Sequence, residues 1–437
     1  MEPMKLLRRD GTSETGFRQS LKDRVHRRLM ETLDLVEAQR LPPEQLREEC
    51  SRRVDLLLGE QRTPLTTLEK QQLLREVMDE IFGLGPIEDL MRDPAVSDIL
   101  VNGPHQIYVE RHGRLERSAV VFRDDEHLMH VMQRIAARVG RRIDESSPML
   151  DARLEDGSRV NGIIPPLALQ GPVMSVRRFA GTAIDAARLV ELGSWSREMC
   201  AFLDAAVRAR MNLIISGGTG TGKTTLLNVL SHWIPPGERV VTIEDAAELR
   251  LQRDHVVSLE TRPPNVEGRG EVSQRDLLKN TLRMRPDRII LGEVRGGETL
   301  DMLQAMNTGH EGSMSTVHAN SPRDALRRIE NMVSMAGIKY PIHVIRDQMA
   351  STLDLLVHVS RTTGGRRKVV SVAEVVGLES EVVLTQDLFV YRQTGVDGDG
   401  HAAGEFESTG VRPRLLERMQ AEGIDLPASV FQRRRFR

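Results

Sequence analysis

The sequence predicts an α/β protein in which a domain on a doubly wound parallel sheet follows a smaller α+β domain and a helical extension. Three observations predict it. Beyond Arg210, apolar runs, Gly-rich turns and helix-like stretches alternate, with strands at Asn212 to Ser216, Arg239 to Ile243, Arg288 to Leu291 and Ser313 to Val317. Between Ile87 and Phe179, short β-type runs surround a single clear helix. The first 62 residues or so are rich in Arg, Glu, Leu and Gln and contain no strand-like run.

Taken in order, residues 1–65 form the helical extension behind a disordered tip, with Leu21, Val25, Leu29, Leu33 and Val36 at three- and four-residue intervals. Residues 66–182 form the α+β domain. It opens with a capping signature, Thr66 to Glu69, ahead of Leu73, Leu74, Val77, Met78, Ile81 and Phe82 at helical spacing, and Gly83 to Pro86 ends that helix. Strands are expected at 98–101, 106–109 and 119–122, near 160–164 and at 173–176, with the helix at 127–139. Residues 183–210 read as a linker and a helix, and 211–437 as the parallel-sheet domain with an appendage. The appendage has strand-like runs at 369–376 and 382–391, a polar Gly-rich segment, and a helix at 413–421.

The 437 residues are 39% hydrophobic, enough for more than one buried core. No window approaches the ~18 uninterrupted apolar residues of a membrane span, and the first sixteen residues lack an apolar signal core, so secretion and membrane spanning are not expected. Cys50 and Cys200 lie far apart in helix-like contexts, which excludes a zinc ribbon or disulfide framework and fits a reducing cytosol. Lys and Arg (61) nearly balance Asp and Glu (63), so no global basic excess points to nucleic acid.

The sharpest motif is Gly217, Gly218, Thr219, Gly220, Thr221, Gly222, Lys223, Thr224, a full G-x-x-x-x-G-K-[ST] match between an apolar strand and the helix that begins at Thr225. Glycines let successive backbone N–H groups turn toward phosphate oxygens and the helix N-terminus adds partial positive charge. Lys223 reaches the β and γ phosphates, and Thr224 offers its hydroxyl to Mg²⁺. The run Arg288 to Glu293 is an apolar strand ending in a carboxylate, as needed to bring negative charge to the magnesium of ATP, so Glu293 is the second metal candidate. Glu244, Asp245 and Glu248 follow another strand, and one of them could orient the attacking water. His310 and His318 bracket a short strand where neutral imidazoles could contact a γ-phosphate, more firmly for His318 at the strand's carboxyl end. Most arginines in such a chain are solvated charges. Arg177 and Arg178, just before the linker, are the first choices for an arginine acting on the γ-phosphate from another domain or subunit.

In this order the four motifs resemble the type II/type IV secretion ATPase superfamily, with its Walker A, Asp box, Walker B and His box. Arg262 to Gly268, Met284 to Arg288 and Gly83 to Ile87 look further like its tight-adherence pilus branch, the CpaF-type ATPases. The resemblance covers roughly residues 66–430. It implies a RecA-like P-loop domain behind a sensory-type N-terminal domain, assembled as a homo-hexamer that is cytoplasmic and peripheral on the inner membrane. ATP hydrolysis there would drive an inner-membrane platform protein in assembly, and also retraction, of a pilus or a related secretion machine. By the same resemblance Lys223 and Thr224 serve phosphate and magnesium, Glu244, Asp245 and Glu248 form the Asp box with Glu248 favoured on water, Glu293 is Walker B, and His310 and His318 form the His box. Ala246 and Ala247 stand where the pilus-motor relatives have an Asp-Pro turn, and the four-cysteine zinc module of many type II exporters is missing.

A DNA translocase or helicase is the alternative, since RecA-like domains also power those and Arg433 to Arg437 could meet a phosphate backbone. Near-zero net charge and 3% aromatic residues supply neither a broad basic groove nor stacking platforms, so no stable nucleic-acid partner is expected. A small-molecule kinase would need a substrate lid, which the chain does not offer.

Overall fold

In the computed structural model the described residues are 21–22, 24–25, 28–29, 31, 43–60, 65–111, 114–178, 184–251, 253–264, 269–338 and 340–436. The chain divides into two compact units, Met1–Gly181 and Thr182–Arg437. The expected disordered tip, and Leu33 and Val36 of the first helical pattern, lie outside the described residues.

The first unit opens with helices Pro43–Glu60 and Thr67–Phe82. Leu21, Val25 and Leu29 are buried with Cys50, Val54, Leu73 and Val77 in one small core, so the three- and four-residue spacing is a packing face. Thr66 and Glu69 form the reciprocal capping box that the sequence signals, and Gly83 caps the other end. Strands β1 (Val96–Val101), β2 (Ile107–Arg111), β3 (Arg114–Arg117), β4 (Met149–Arg153), β5 (Arg159–Ile163) and β6 (Val173–Arg177) form an antiparallel sheet of order β3-β2-β1-β6-β5-β4. Helix Asp125–Arg138 buries Leu128, Val131, Met132 and Ile135 in the core that this sheet shares.

The strand expected at 119–122 is not one. That run is loop, from which Phe122 drops into the core, packed edge-on against His127. The real edge strand β3 is exposed at every residue and so shows no apolar alternation. β4 escapes detection for a related reason, since only Leu150 and Ala152 of its five residues are buried.

In the second unit, β7 (Leu213–Gly217), β8 (Val240–Glu244), β9 (Val256–Glu260), β10 (Arg288–Leu291), β11 (Met314–His318) and β12 (Leu355–Arg361) run parallel in the order β12-β7-β11-β10-β8-β9. β7, β8 and β10 are buried at every residue, as strands covered on both faces must be. Leu213 and Ile215 face one core and Ile214 the other. Helices Arg197–Arg208 and Lys223–Ser231 pack in the first core, and Glu298–Asn307, Pro322–Ser334 and Ile342–Thr352 in the second. Residues 184–210, read as linker and helix, place Trp195, Phe202 and Leu203 fully inside this unit's core.

The sheet is not parallel throughout. β13 (Arg367–Glu379), β14 (Val382–Val396), β15 (Ala402–Ser408) and β16 (Arg434–Phe436) extend it antiparallel from β12. The polar Gly-rich stretch after β14 holds β15, and the closing helix is Leu415–Ala421.

Candidate nucleotide site

The topology places the motifs side by side. β7, β11, β10 and β8 are near neighbours in one parallel sheet, so the segments leaving their carboxyl ends emerge along one edge, about 4.8 Å apart strand by strand. Those segments are the Gly-rich loop, His318, Glu293 and the turn Asp245–Leu249.

The loop is built to receive an anion. Gly220 and Gly222 have φ of 70° and 95°, left-handed values that open the loop. Helix Lys223–Ser231 starts at Gly222 without a side-chain cap, leaving its first N–H groups to a ligand. Gly217 is pressed against β12, where a Cβ would lie 2.4 Å from the Val359 carbonyl oxygen. Thr221 Oγ1 donates to the Gly218 carbonyl at 2.9 Å, tightening the loop from within. Thr219 is exposed, while Thr224 and Thr225 are half-buried in the helix's first turn.

Lys223 is buried and donates through Nζ to the Gly218 carbonyl at 2.8 Å. Its Nζ is also 3.4 Å from His318 Nδ1, and His318 Nε2 is 3.1 Å from Glu293 Oε2. Burial, then the nearby charges of Lys223 and Arg295, push His318 below its ordinary value and so favour the neutral ring. A neutral ring that donates from Nε2 to Glu293 and accepts at Nδ1 from Lys223 satisfies both contacts. Burial, and secondarily Arg295, lower Lys223 to about 8. The other oxygen of Glu293 pairs with Arg295, which also lies 3.3 Å from Asp245. A continuous polar chain therefore joins the Gly218 carbonyl, Lys223, His318, Glu293, Arg295 and Asp245.

The structure gives four of the expected residues distinct surroundings. Glu244 is buried at the end of β8, and its Oε1 accepts from the backbone N–H groups of Glu248 and Leu249 at 2.9 and 3.1 Å. It holds the turn that carries Glu248. His310 precedes β11, and since Met314 pairs with Leu213 while His318 pairs with Gly217, His310 lies at the opposite edge of the sheet from the loop. At about 3.3 Å per residue, the strand alone separates the two histidines by ~13 Å. Arg178 donates to the carbonyls of Asp93 and Val96, the latter at 2.6 Å, tying down the end of β1. Arg177 is exposed and pairs with Asp98 at 3.1 Å.

Three residues join the site with little or no local sequence signal. Arg295 is marked only by following Glu293 by two positions. Arg367, at the start of β13, donates from Nε to the Gly220 carbonyl at 3.0 Å. His358 of β12 pairs with Ser216 of β7, Nδ1 to Oγ 2.9 Å, behind the loop.

The donor set fits magnesium and a polyphosphate. Thr224, Glu293 and Asp245 offer hard oxygen ligands, while the described residues hold no group of three or more His, Cys, Asp or Glu arranged to bind a metal unaided. Magnesium at such sites takes one or two protein oxygens and completes its shell with phosphate and water. The family described as "Type II/IV secretion system protein" matches residues 80–398. The chain belongs to this family, and it is an ATPase. A putative conjugal transfer protein of Mycobacterium tuberculosis is 39% identical over 306 residues, covering 69% of this chain and 86% of its own. Type IV secretion system protein PtlH of Bordetella pertussis is 37% identical over 322 residues, covering 67% and 94%. The VirB11 ATPase of the Brucella suis type IV secretion system is a solved structure similar at 29% identity, covering 67% and 97%, with a TM-score of 0.37. The Gly-rich loop lies in the second of the two units, on a sheet whose core strands are parallel, and among the described residues no helix is long and apolar enough to cross a membrane.

Proposed function

We propose that this secretion-family ATPase is a homo-hexameric motor, peripheral on the cytoplasmic face of the inner membrane, that drives a platform protein in assembling a tight-adherence pilus or a related machine. The observation that carries the hydrolytic part is the contact chain from Lys223 through His318 to Glu293, which links the phosphate loop to the acid expected at the metal. Thr224 and Glu293 would hold magnesium, which when bound supplies positive charge to the β and γ phosphoryl oxygens. Lys223 meets the phosphates, Glu248 orients the attacking water from the turn fixed by Glu244, and His318 passes a change at the phosphates to Glu293. The pilus branch is supported by the Ala246-Ala247 Asp box and by the absence of a four-cysteine module.

Two variants test the site. Lys223→Ala removes the charge that meets the phosphates, so nucleotide affinity and turnover should both collapse. Glu293→Gln keeps the shape and removes the carboxylate, so ATP should bind and persist unhydrolysed. Wild-type phosphate release by purified Glu293→Gln protein would end the assignment of Glu293. Purification from membranes tests the machine, with a polytopic membrane protein expected to accompany the ATPase.

A further inference from the structure

We propose that Arg295 stabilises the charge on the transferred phosphoryl group from within its own chain, and that Glu293 and Asp245 hold it in reserve until nucleotide binds; this rests on the nucleotide-site reading above. Arg295 leaves the carboxyl end of β10 in the segment before helix Glu298–Asn307. Its backbone N–H and that of Gly296 donate to Glu298 Oε1 at 2.6 and 2.7 Å, which fixes the main chain, while the long side chain is held by its ion pairs to Glu293 and Asp245. That side chain is 62% exposed and lines, with Asp245, Gln274 and Glu298, a cavity of 380 Å³. The guanidinium therefore has room to swing.

Its partners come from two strands. One is Glu293 after β10, the acid expected at the magnesium, and the other is Asp245 after β8, a further carboxylate beside it that offers hard oxygens to the same ion. A carboxylate cannot keep both a guanidinium and a divalent cation on the same oxygens, so occupation of the acids frees Arg295. The anions then nearest are the phosphoryl oxygens that Lys223 holds, and a planar guanidinium matches them with two parallel N–H donors. Arg295 already acts at that place electrostatically, since its charge contributes to lowering both Lys223 and His318. In the reaction, water oxygen forms a bond to the γ-phosphorus while the bond to the bridging oxygen breaks, its electron pair leaving with ADP. The proton of the attacking water departs by way of the Glu248 carboxylate to solvent. Arg295 forms no covalent bond and offsets the charge that builds on the oxygens.

The test uses the full chain with Arg295→Gln. Turnover should fall about 10³-fold or more while ATP affinity stays within a few-fold. Independently of turnover, the nucleotide-free variant should bind Mn²⁺ about tenfold more tightly, because Glu293 and Asp245 have lost their counter-ion. A mixture of Arg295→Gln with Lys223→Ala chains should recover no activity, since a group acting within its own chain cannot be supplied by a neighbour. Unchanged turnover, unchanged Mn²⁺ affinity, or recovery in the mixture would each overturn the proposal. Should Arg295→Gln prove unstable, Arg295→Lys is expected to show the same separation of turnover from ATP affinity, at least tenfold, and its absence overturns the proposal equally. A fully active Lys223→Ala protein would instead remove the site reading itself, whereas an inactive Lys223→Ala beside a fully active Arg295→Gln removes only the role of Arg295.

Discussion

Without a phosphate beside it, Lys223 carries its charge at a cost. It is buried, it lies near Arg295, and both effects favour the neutral amine, bringing it from an ordinary 10.5 to about 8. Between pH 8 and 10.5 the unfolded chain therefore holds more protons at this residue than the nucleotide-free fold, so its penalty to stability fades as pH rises through that window. Bound phosphate reverses the preference by favouring the ammonium. ATP affinity should accordingly be at its full value below pH 8 and fall by up to about tenfold per unit above it, with Lys223→Arg, which keeps its charge, showing a flatter profile. Fluorescent-nucleotide titrations from pH 7 to 9.5 measure this, and a flat wild-type profile would count against it. The local spacing of Gly217 to Thr224 and the strand-then-acid run ending at Glu293 made these residues legible. The inward turn of Glu244 was not, because it depends on the backbone of a turn four and five residues on, and the sequence shows only a cluster of like carboxylates.

At the scale of the element, the β7–loop–helix unit depends on its fit against β12. Gly217 pairs in register with Val359, and a methyl group there would meet the Val359 carbonyl at 2.4 Å and Thr221 Oγ1 at 2.6 Å. Neither neighbour can give way, since one is backbone in the middle of the sheet and the other holds the loop to Gly218. Gly217→Ala should therefore destabilise the protein by about 1–3 kcal/mol and weaken nucleotide binding as well. Denaturant unfolding and nucleotide titration together check this, and a variant that matches wild type in both would show that the loop has slack. The parallel strands β7, β8 and β10 were legible because burial on both faces leaves largely apolar runs, whereas β11, Met-Ser-Thr-Val-His, was legible from its place between the two histidines of its motif. β12 carries a similar run, but its buried His358, satisfied by Ser216, interrupts the apolar signal. The antiparallel extension was legible only as separate runs, since pairing partners are a property of the assembled sheet. The preference for His318 over His310 was legible from strand direction, and the register of β11 on β7 puts His318 beside Gly217.

For the whole molecule the open matter is whether one chain's site is completed by another, and here Arg177 and Arg178, equivalent in the sequence, have become different. Arg178 is tied to two main-chain carbonyls, so Arg178→Ala should lower the melting temperature, with any loss of activity following the loss of fold. Arg177 has an exposed side chain and an ion pair to Asp98, a contact worth at most about 1 kcal/mol, so Arg177→Ala should leave the melting temperature nearly unchanged. If Arg177 acts on the phosphates of a neighbouring chain, turnover should nonetheless fall by orders of magnitude with ATP affinity within a few-fold, because such charge stabilisation belongs to the transition state. Hydrolysis per wild-type chain should then rise with protein concentration as rings form, and adding Lys223→Ala chains should depress it more than in proportion to their number. The concentration series and the mixing curve are read beside the two melting temperatures. A rate per chain that stays flat across assembly, with Arg177→Ala fully active, would mean that each chain hydrolyses ATP with its own residues and that the ring couples chains only mechanically.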